Sequence, residues 1–139
     1  MFSHILVATD LTERSLKALD VAVRMVLHDG GRITLLHVVE TIEDTDPEEV
    51  EGFYRKLGKR ARRRMVEMAA RYAEDRPVIG TEIIYGKRVR EIIRFAEEQA
   101  VDLVILSSHP VGKDSGLEGW GTISYKVGIL SPCPVLLVK

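Results

Sequence analysis

Five short aliphatic runs, separated by stretches of helical periodicity, limit most strongly what this chain can fold into. The runs are His4–Thr9, Arg32–Val39, Val78–Tyr85, Val101–Leu106 and Pro134–Val138. They are rich in Val, Ile and Leu and lack the polar alternation of a half-exposed strand, which predicts strands covered on both faces. From Ser15 to about His28, Leu16, Leu19, Val23 and Val26 recur at helical spacing with Ala18 and Ala22 beside them. Asp29-Gly30-Gly31 ends that helix, since glycine takes the left-handed closing conformation readily. After an acidic connector from Glu40 to Glu51, Asp46-Pro47 is placed as N-cap and first residue of a long helix reaching about Glu74. Its predicted apolar stripe is Val50, Phe53, Tyr54, Leu57, Ala61, Met65, Met68 and Tyr72. Val89, Ile92, Ile93 and Ala96 mark a third helix, and Thr122 to about Leu130 a fourth.

Strands alternating with helices imply parallel pairing through right-handed crossovers, hence a sheet with helices on both faces. The expected fold class is therefore α/β: a five-stranded parallel sheet, order 3-2-1-4-5, doubly wound with about four helices. A single domain is expected to span 1–139. In that order the winding reverses between strands one and four, and ligands bind outside the carboxyl ends of the strands there. The loops at that crevice are Thr9-Asp10-Leu11-Thr12 and the stretch from Ser107 to Thr122.

Composition excludes several classes. Hydrophobic residues make up 45% and charged residues 29%, with a net charge of −1, so no global field favours nucleic acid or an anionic membrane. No apolar run approaches a membrane span, and Met1 leads directly into a polar-flanked strand rather than a signal peptide. The lone cysteine, Cys133, rules out an internal disulfide and fits a reducing compartment, so a cytoplasmic setting is expected. Lying between two prolines, it reads as a small apolar residue rather than a reactive thiol.

The chemistry-bearing candidates lie at the crevice. Ser107-x-x-x-x-Gly112-Lys113-Asp114 imitates a P-loop, but the first glycine is Ser, the magnesium-binding hydroxyl is Asp, and glycines interrupt the helix that should follow. It is rejected as a P-loop. Asp10, Ser107 or Ser108, and His109 could share the crevice, yet no G-x-S-x-G elbow is present, and no catalytic residue is assigned. Four scattered histidines and one cysteine offer no metal spacing. Asp10-x-x-Glu13 also reads as a capping box for the first helix, with Thr12 as an alternative cap, and Thr122 as a cap for the fourth.

Several segments together resemble the universal stress protein family. They are Ile5-Leu6-Val7-Ala8-Thr9-Asp10, Leu35-Leu36-His37-Val38, Val101 to His109, Gly121-Thr122, and Ser131-Pro132-Cys133-Pro134-Val135-Leu136-Leu137-Val138. They occur in register over essentially the whole chain. The resemblance implies a Rossmann-like fold of the adenine nucleotide alpha hydrolase kind, and the binding of ATP or another adenine nucleotide through G-x2-G-x9-G-[S/T] after strand four. Carried onto this chain, the first glycine falls on Ser107 and the second on Pro110, with ten residues before Gly121-Thr122. Pro110 has no N–H to donate; Gly112 with Lys113 is the candidate replacement. The resemblance further implies Asp10 on the ribose or metal side, Ala8 and Thr9 on the pocket floor, Val38 against adenine through its backbone, and Ser107, His109, Gly121, Thr122 and Ile123 among the nucleotide-binding residues.

The expected function is thus a non-enzymatic stress-response regulator binding ATP or AMP, with Mg2+ carried by the nucleotide, weakly or in a variant mode. The alternative is a family member without nucleotide, acting as a dimeric protein-interaction module; a nucleotide hydrolase with weak ATPase activity is the third reading. A homodimer through the C-terminal strand is expected, because Val135 to Val138 would form an apolar sheet edge and the family commonly pairs there. The basic run Arg55 to Arg64 reads as a solvated helix face, with a Glu51–Arg55 i,i+4 pair, rather than a nucleic-acid site.

Overall fold

The computed structural model describes residues 1–42, 46–108 and 120–139, the side chains of residues 47 and 120–122 excepted. The strands are β1 (His4–Ala8), β2 (Arg32–Glu40), β3 (Ile79–Gly86), β4 (Leu103–Ser107) and β5 (Val135–Val138). The helices are α1 (Leu16–Asp29), α2 (Pro47–Ala70), α3 (Arg88–Glu98) and α4 (Trp120–Leu130), with a 3-10 turn at Glu13–Ser15 ahead of α1. All strand pairs are parallel and the order is β3-β2-β1-β4-β5, as the alternation predicts.

Two apolar layers hold the sheet. On one face Ile5, Val7, Ile33, Leu35 and Ile105 pack against α1 and against Met65 and Met68 of α2. On the other, Leu6, Ala8, Leu36, Val38, Val104 and Leu106 pack against Ile92 and Ala96 of α3 and Ile123 and Val127 of α4. Every residue of β1 and β4 is buried, which is why those strands read as unbroken aliphatic runs. The outer strands are half-open: in β5, Leu136 and Leu137 keep 39% and 37% exposure on the sheet edge.

Glycine ends α1 as expected. Gly30 has φ 82, and at Gly31, φ 103, a Cβ would collide with the Phe2 and Ser3 carbonyl oxygens. At the amino end of the sheet the Asp102 carboxylate accepts from the N–H groups of Ser3 and His4 at 2.8 and 3.0 Å, tying the start of β1 to that of β4. His4, buried beneath, donates from Nδ1 to the Gln99 carbonyl at 3.0 Å and accepts the Thr34 hydroxyl at Nε2, 2.8 Å. Burial lowers its pKa below the usual 6.5, partly offset by the Gln99 hydrogen bond.

Helix α2 corrects two expectations. Asp46 caps it as predicted, accepting from Glu48 N–H at 3.0 Å. Ala61, Met65 and Met68 are fully buried, but Phe53 is 52% exposed. Successive helix residues are 100° apart, so Phe53 and Tyr54 cannot both face the sheet. Tyr54 does: its ring meets Tyr85 and its hydroxyl accepts from Ile42 N–H at 2.6 Å. The helix also stops at Ala70, where tight turns through Asp75 replace it. Helix α4 begins at Trp120, two residues earlier than expected, so Thr122 lies inside its first turn rather than at the cap.

Candidate functional site

The carboxyl ends of β1, β2 and β4 meet where the sheet reverses its winding. Ala8 pairs with Leu36 across β1 and β2, and the Thr9 N–H extends that ladder to the Leu36 carbonyl at 2.9 Å. Val7 pairs with Ile105 across β1 and β4, which sets Thr9 level with Ser107. Thr9, Asp10, Val38 and Ser107 are thereby brought to one end of three adjacent strands.

The loop leaving β1 is fastened by a one-way chain of hydrogen bonds. Leu11 N–H donates to Thr9 Oγ1 at 2.9 Å, and Ser15 Oγ donates to the Thr12 carbonyl at 2.7 Å. Ser15 has one hydroxyl proton, so the 2.7 Å contact between Thr9 and Ser15 runs from Thr9 Oγ1 to Ser15 Oγ. Both side chains are buried, and each hydroxyl is committed to the loop's own structure. Leu11 has φ 71, a left-handed conformation unusual for a side chain larger than Asn. Arg64, reaching across from α2, donates from Nε to the Leu11 carbonyl at 3.1 Å and pairs with Glu13 at 3.2 Å. One arginine of the basic run is therefore a clamp on the crevice loop.

Asp10 does not cap α1. Its Oδ1 accepts from Thr12 N–H at 3.0 Å and from the Thr12 hydroxyl, closing a turn two residues long. The N-cap position of the 3-10 turn is Thr12, whose side chain makes no capping bond, while Glu13 turns to Arg64 and Arg71. Ser107 Oγ donates to the Arg14 carbonyl at 3.0 Å, binding the end of β4 to the same loop. The side chains of Ala8, Val38 and Ile123 belong to the apolar layer beneath α3 and α4, which leaves their backbones as what they offer a ligand. His109, Gly112 and Lys113 lie outside the described residues; Gly121 and Thr122 are in the first turn of α4.

Two polar residues were not singled out by the sequence reading. His37, half-buried on β2, donates from Nδ1 to the Thr9 carbonyl at 2.8 Å. Burial lowers its pKa below 6.5; the Thr9 hydrogen bond opposes this, and Arg88 and Asp10 act on it with opposite sign. The bond fixes the neutral tautomer and leaves Nε2 as an acceptor. Ser124, 4% exposed in the second turn of α4, has a fully buried hydroxyl with no hydrogen-bond partner among the described residues. Such a group costs about 1–3 kcal/mol and calls for a cause. Its signal was the hydroxyl-rich opening Gly121-Thr122-Ile123-Ser124. Among the described residues no three His, Cys, Asp or Glu side chains gather as a metal site.

A doubly wound parallel sheet with a polar crevice at its switch point sets the chain among Rossmann-like α/β domains. The model of the universal stress protein family matches residues 1–139, and the chain belongs to that family. Universal stress protein YxiE of Bacillus subtilis (strain 168) is 34% identical over 152 residues, covering all of both chains. Universal stress protein UspA from Lactobacillus plantarum superposes with a TM-score of 0.79 at 24% identity, covering 99% of this chain and 97% of that one. A universal stress protein in complex with cAMP superposes at 0.73 with 18% identity, covering 99% and 97%. The universal stress protein from Archaeoglobus fulgidus in complex with dAMP superposes at 0.71 with 13% identity, covering 100% and 98%. At these identities the superpositions speak to the fold. No helix among the described residues is long and apolar enough to cross a membrane.

Proposed function

We propose that this protein is a stress-response regulator that binds an adenine nucleotide at the crevice between β1 and β4. The observation that carries this reading is the convergence of Thr9, Asp10, Val38 and Ser107 on the switch point of a universal stress protein fold. Relatives of the same fold hold cAMP and dAMP, which share the adenosine unit. The roles follow from where each residue lies at the carboxyl ends of the strands. Val38 and Ala8, with buried side chains, would meet the adenine through backbone atoms. Asp10, at the end of β1, would meet the ribose hydroxyls or a nucleotide-borne Mg2+. The first turn of α4, with Gly121 and Thr122, would face the phosphates with its N–H groups and positive dipole end. The Ser124 hydroxyl, without a partner among the described residues, would gain one.

Titration of AMP, cAMP and ATP with magnesium against the purified protein, read by calorimetry and thermal shift, tests this. Saturable binding with a raised melting temperature is expected, and silence up to millimolar nucleotide would sink the proposal. Ser124→Ala sharpens the test. It removes an unsatisfied group, so the free protein should be as stable or more so, while nucleotide affinity falls about tenfold for the loss of one hydrogen bond.

The same reading makes the protein a binding module rather than an enzyme, since the crevice hydroxyls of Thr9, Ser15 and Ser107 are all spent on the loop. A homodimer through β5 is part of the proposal, because Leu136 and Leu137 lie on an open sheet edge. Sedimentation equilibrium at micromolar concentration checks it; a monomer there rejects the dimer.

A further inference from the structure

The basic run divides into three fates along α2. Arg55 pairs with Glu51 at 3.0 Å, and Arg64 turns inward to the crevice loop. Lys56, Lys59, Arg60, Arg62 and Arg63 are exposed, and none has a carboxylate within ion-pair distance among the described residues. Five cations uncompensated over eight residues is a local excess that the net charge of −1 conceals. It is not spread evenly around the helix. Glu51, Arg55, Lys59, Arg62 and Val66 recur at spacings of four, four, three and four, so they share one side.

That side leads into a cleft. Ile42, Val50, Tyr54 and Tyr85 line a cavity of about 500 Å³ between the end of β3, the chain leaving β2 and the first turns of α2, with Glu51 and Arg55 at its mouth. Its lining is mainly apolar, although it opens to solvent, and Ile42 and Tyr85 are 58% and 46% exposed. The size falls within the range of sites that seat a small molecule or a single large side chain. Gly58 makes room for it: a Cβ there would collide with the Tyr85 hydroxyl, so only glycine lets that ring lie across α2. Farther along the same side, Lys59, Arg62, Arg63 and Val66 border a second, shallower depression.

We propose that this side of α2 docks an acidic protein segment with an apolar anchor residue. The anchor enters the cleft of Ile42, Val50, Tyr54 and Tyr85, and the carboxylates that follow lie along Lys59, Arg62 and Arg63. The cationic stretch from Arg55 to Arg63 is about 12 Å long at 1.5 Å per residue, which an extended partner covers with about four residues. Carboxylates at both ends, Glu51 and Glu67, limit the footprint to that length. They also argue against nucleic acid, whose phosphates would continue past both ends. The exposed apolar side chains are too scattered for a membrane-lying face.

The probe is a labelled synthetic peptide of one leucine followed by four glutamates, its binding read by fluorescence anisotropy. Saturable binding is expected that weakens steeply as salt rises toward about 0.5 M. Lys59→Glu with Arg63→Glu should weaken it about tenfold or more. Replacing the peptide's leucine by glycine should weaken it about fivefold, as should Ile42→Ser, an exposed position whose change leaves the fold intact. Absence of saturation at millimolar peptide overturns the proposal. So does equal binding by the leucine-free peptide, or a short oligothymidylate that competes more strongly than the peptide does. Sedimentation completes the set: if the double charge reversal dissociates a dimer, the face belongs to a second copy instead.

Discussion

The crevice loop and the outer side of α2 treat the same kinds of side chain in opposite ways. In the loop from Thr9 to Ser15 every hydroxyl described is tied down, by Leu11 N–H, by the Thr12 carbonyl, by the Asp10 carboxylate, or by a neighbouring hydroxyl. On α2, five cations stand in water without an ion-pair partner among the described residues. Burial explains the contrast. A polar group inside must be satisfied or costs about 1–3 kcal/mol, whereas an exposed one costs nothing to leave free. The loop is accordingly built to hold a shape, and the helix side is open to recognition. Arg64 joins the two, since it belongs to the run but serves the loop.

Thr9→Val should break the loop side of this comparison most severely. It leaves Leu11 N–H without its acceptor and Ser15 Oγ without its donor, and a cost of about 1–3 kcal/mol is expected in denaturant melts. Combined with Ser15→Ala the losses should fall short of their sum, because both act on one chain of bonds. A smaller effect, about 1 kcal/mol, is expected for Arg64→Met, which keeps the packing of the stem but frees the Leu11 carbonyl. If Arg64→Met proves neutral while Arg62→Met does not, the division of the basic run is wrong.

Acid should act on the same interior. His4 and His37 have pKa values below 6.5 in the folded protein, chiefly through burial. An unfolded histidine binds its proton near 6.5, so below that pH the unfolded chain holds more protons than the folded one. Stability is therefore complete above that pH and declines as pH falls through 6.5 toward the lowered folded values. His37→Gln should flatten part of this slope in melts between pH 7 and about 5; an unchanged slope would clear His37. The smallest expected change is on α2. Lys59→Glu with Arg63→Glu should shift stability by no more than about 0.5 kcal/mol, because both side chains are exposed and have no ion-pair partner among the described residues. A large loss there would mean the face is structural rather than a docking surface.

The strand order, both apolar layers and the crevice were legible because they rest on periodicity and chirality. Those act locally and accumulate along the chain. Asp46 and Gly30 were legible for the same reason: a cap and a helix stop involve atoms a few residues apart. Phe53 was not, since an apolar residue in a helix does not reveal whether anything lies opposite it. Nor was Asp10, where a capping box and a short side-chain turn use the same residue types.

The sequence alone determined that this chain would be a doubly wound parallel sheet of the universal stress protein family. It also determined that Thr9, Asp10 and Ser107 would share one end of that sheet. Only the tertiary structure decided which of their polar groups are spent. A hydrogen bond such as Ser107 Oγ to the Arg14 carbonyl spans 93 residues of chain. The same holds for the basic run, whose ten residues look alike until packing turns Arg64 inward and leaves its neighbours facing water. Whether a charge is free is set by what the fold brings within reach of it, and local sequence carries no record of that.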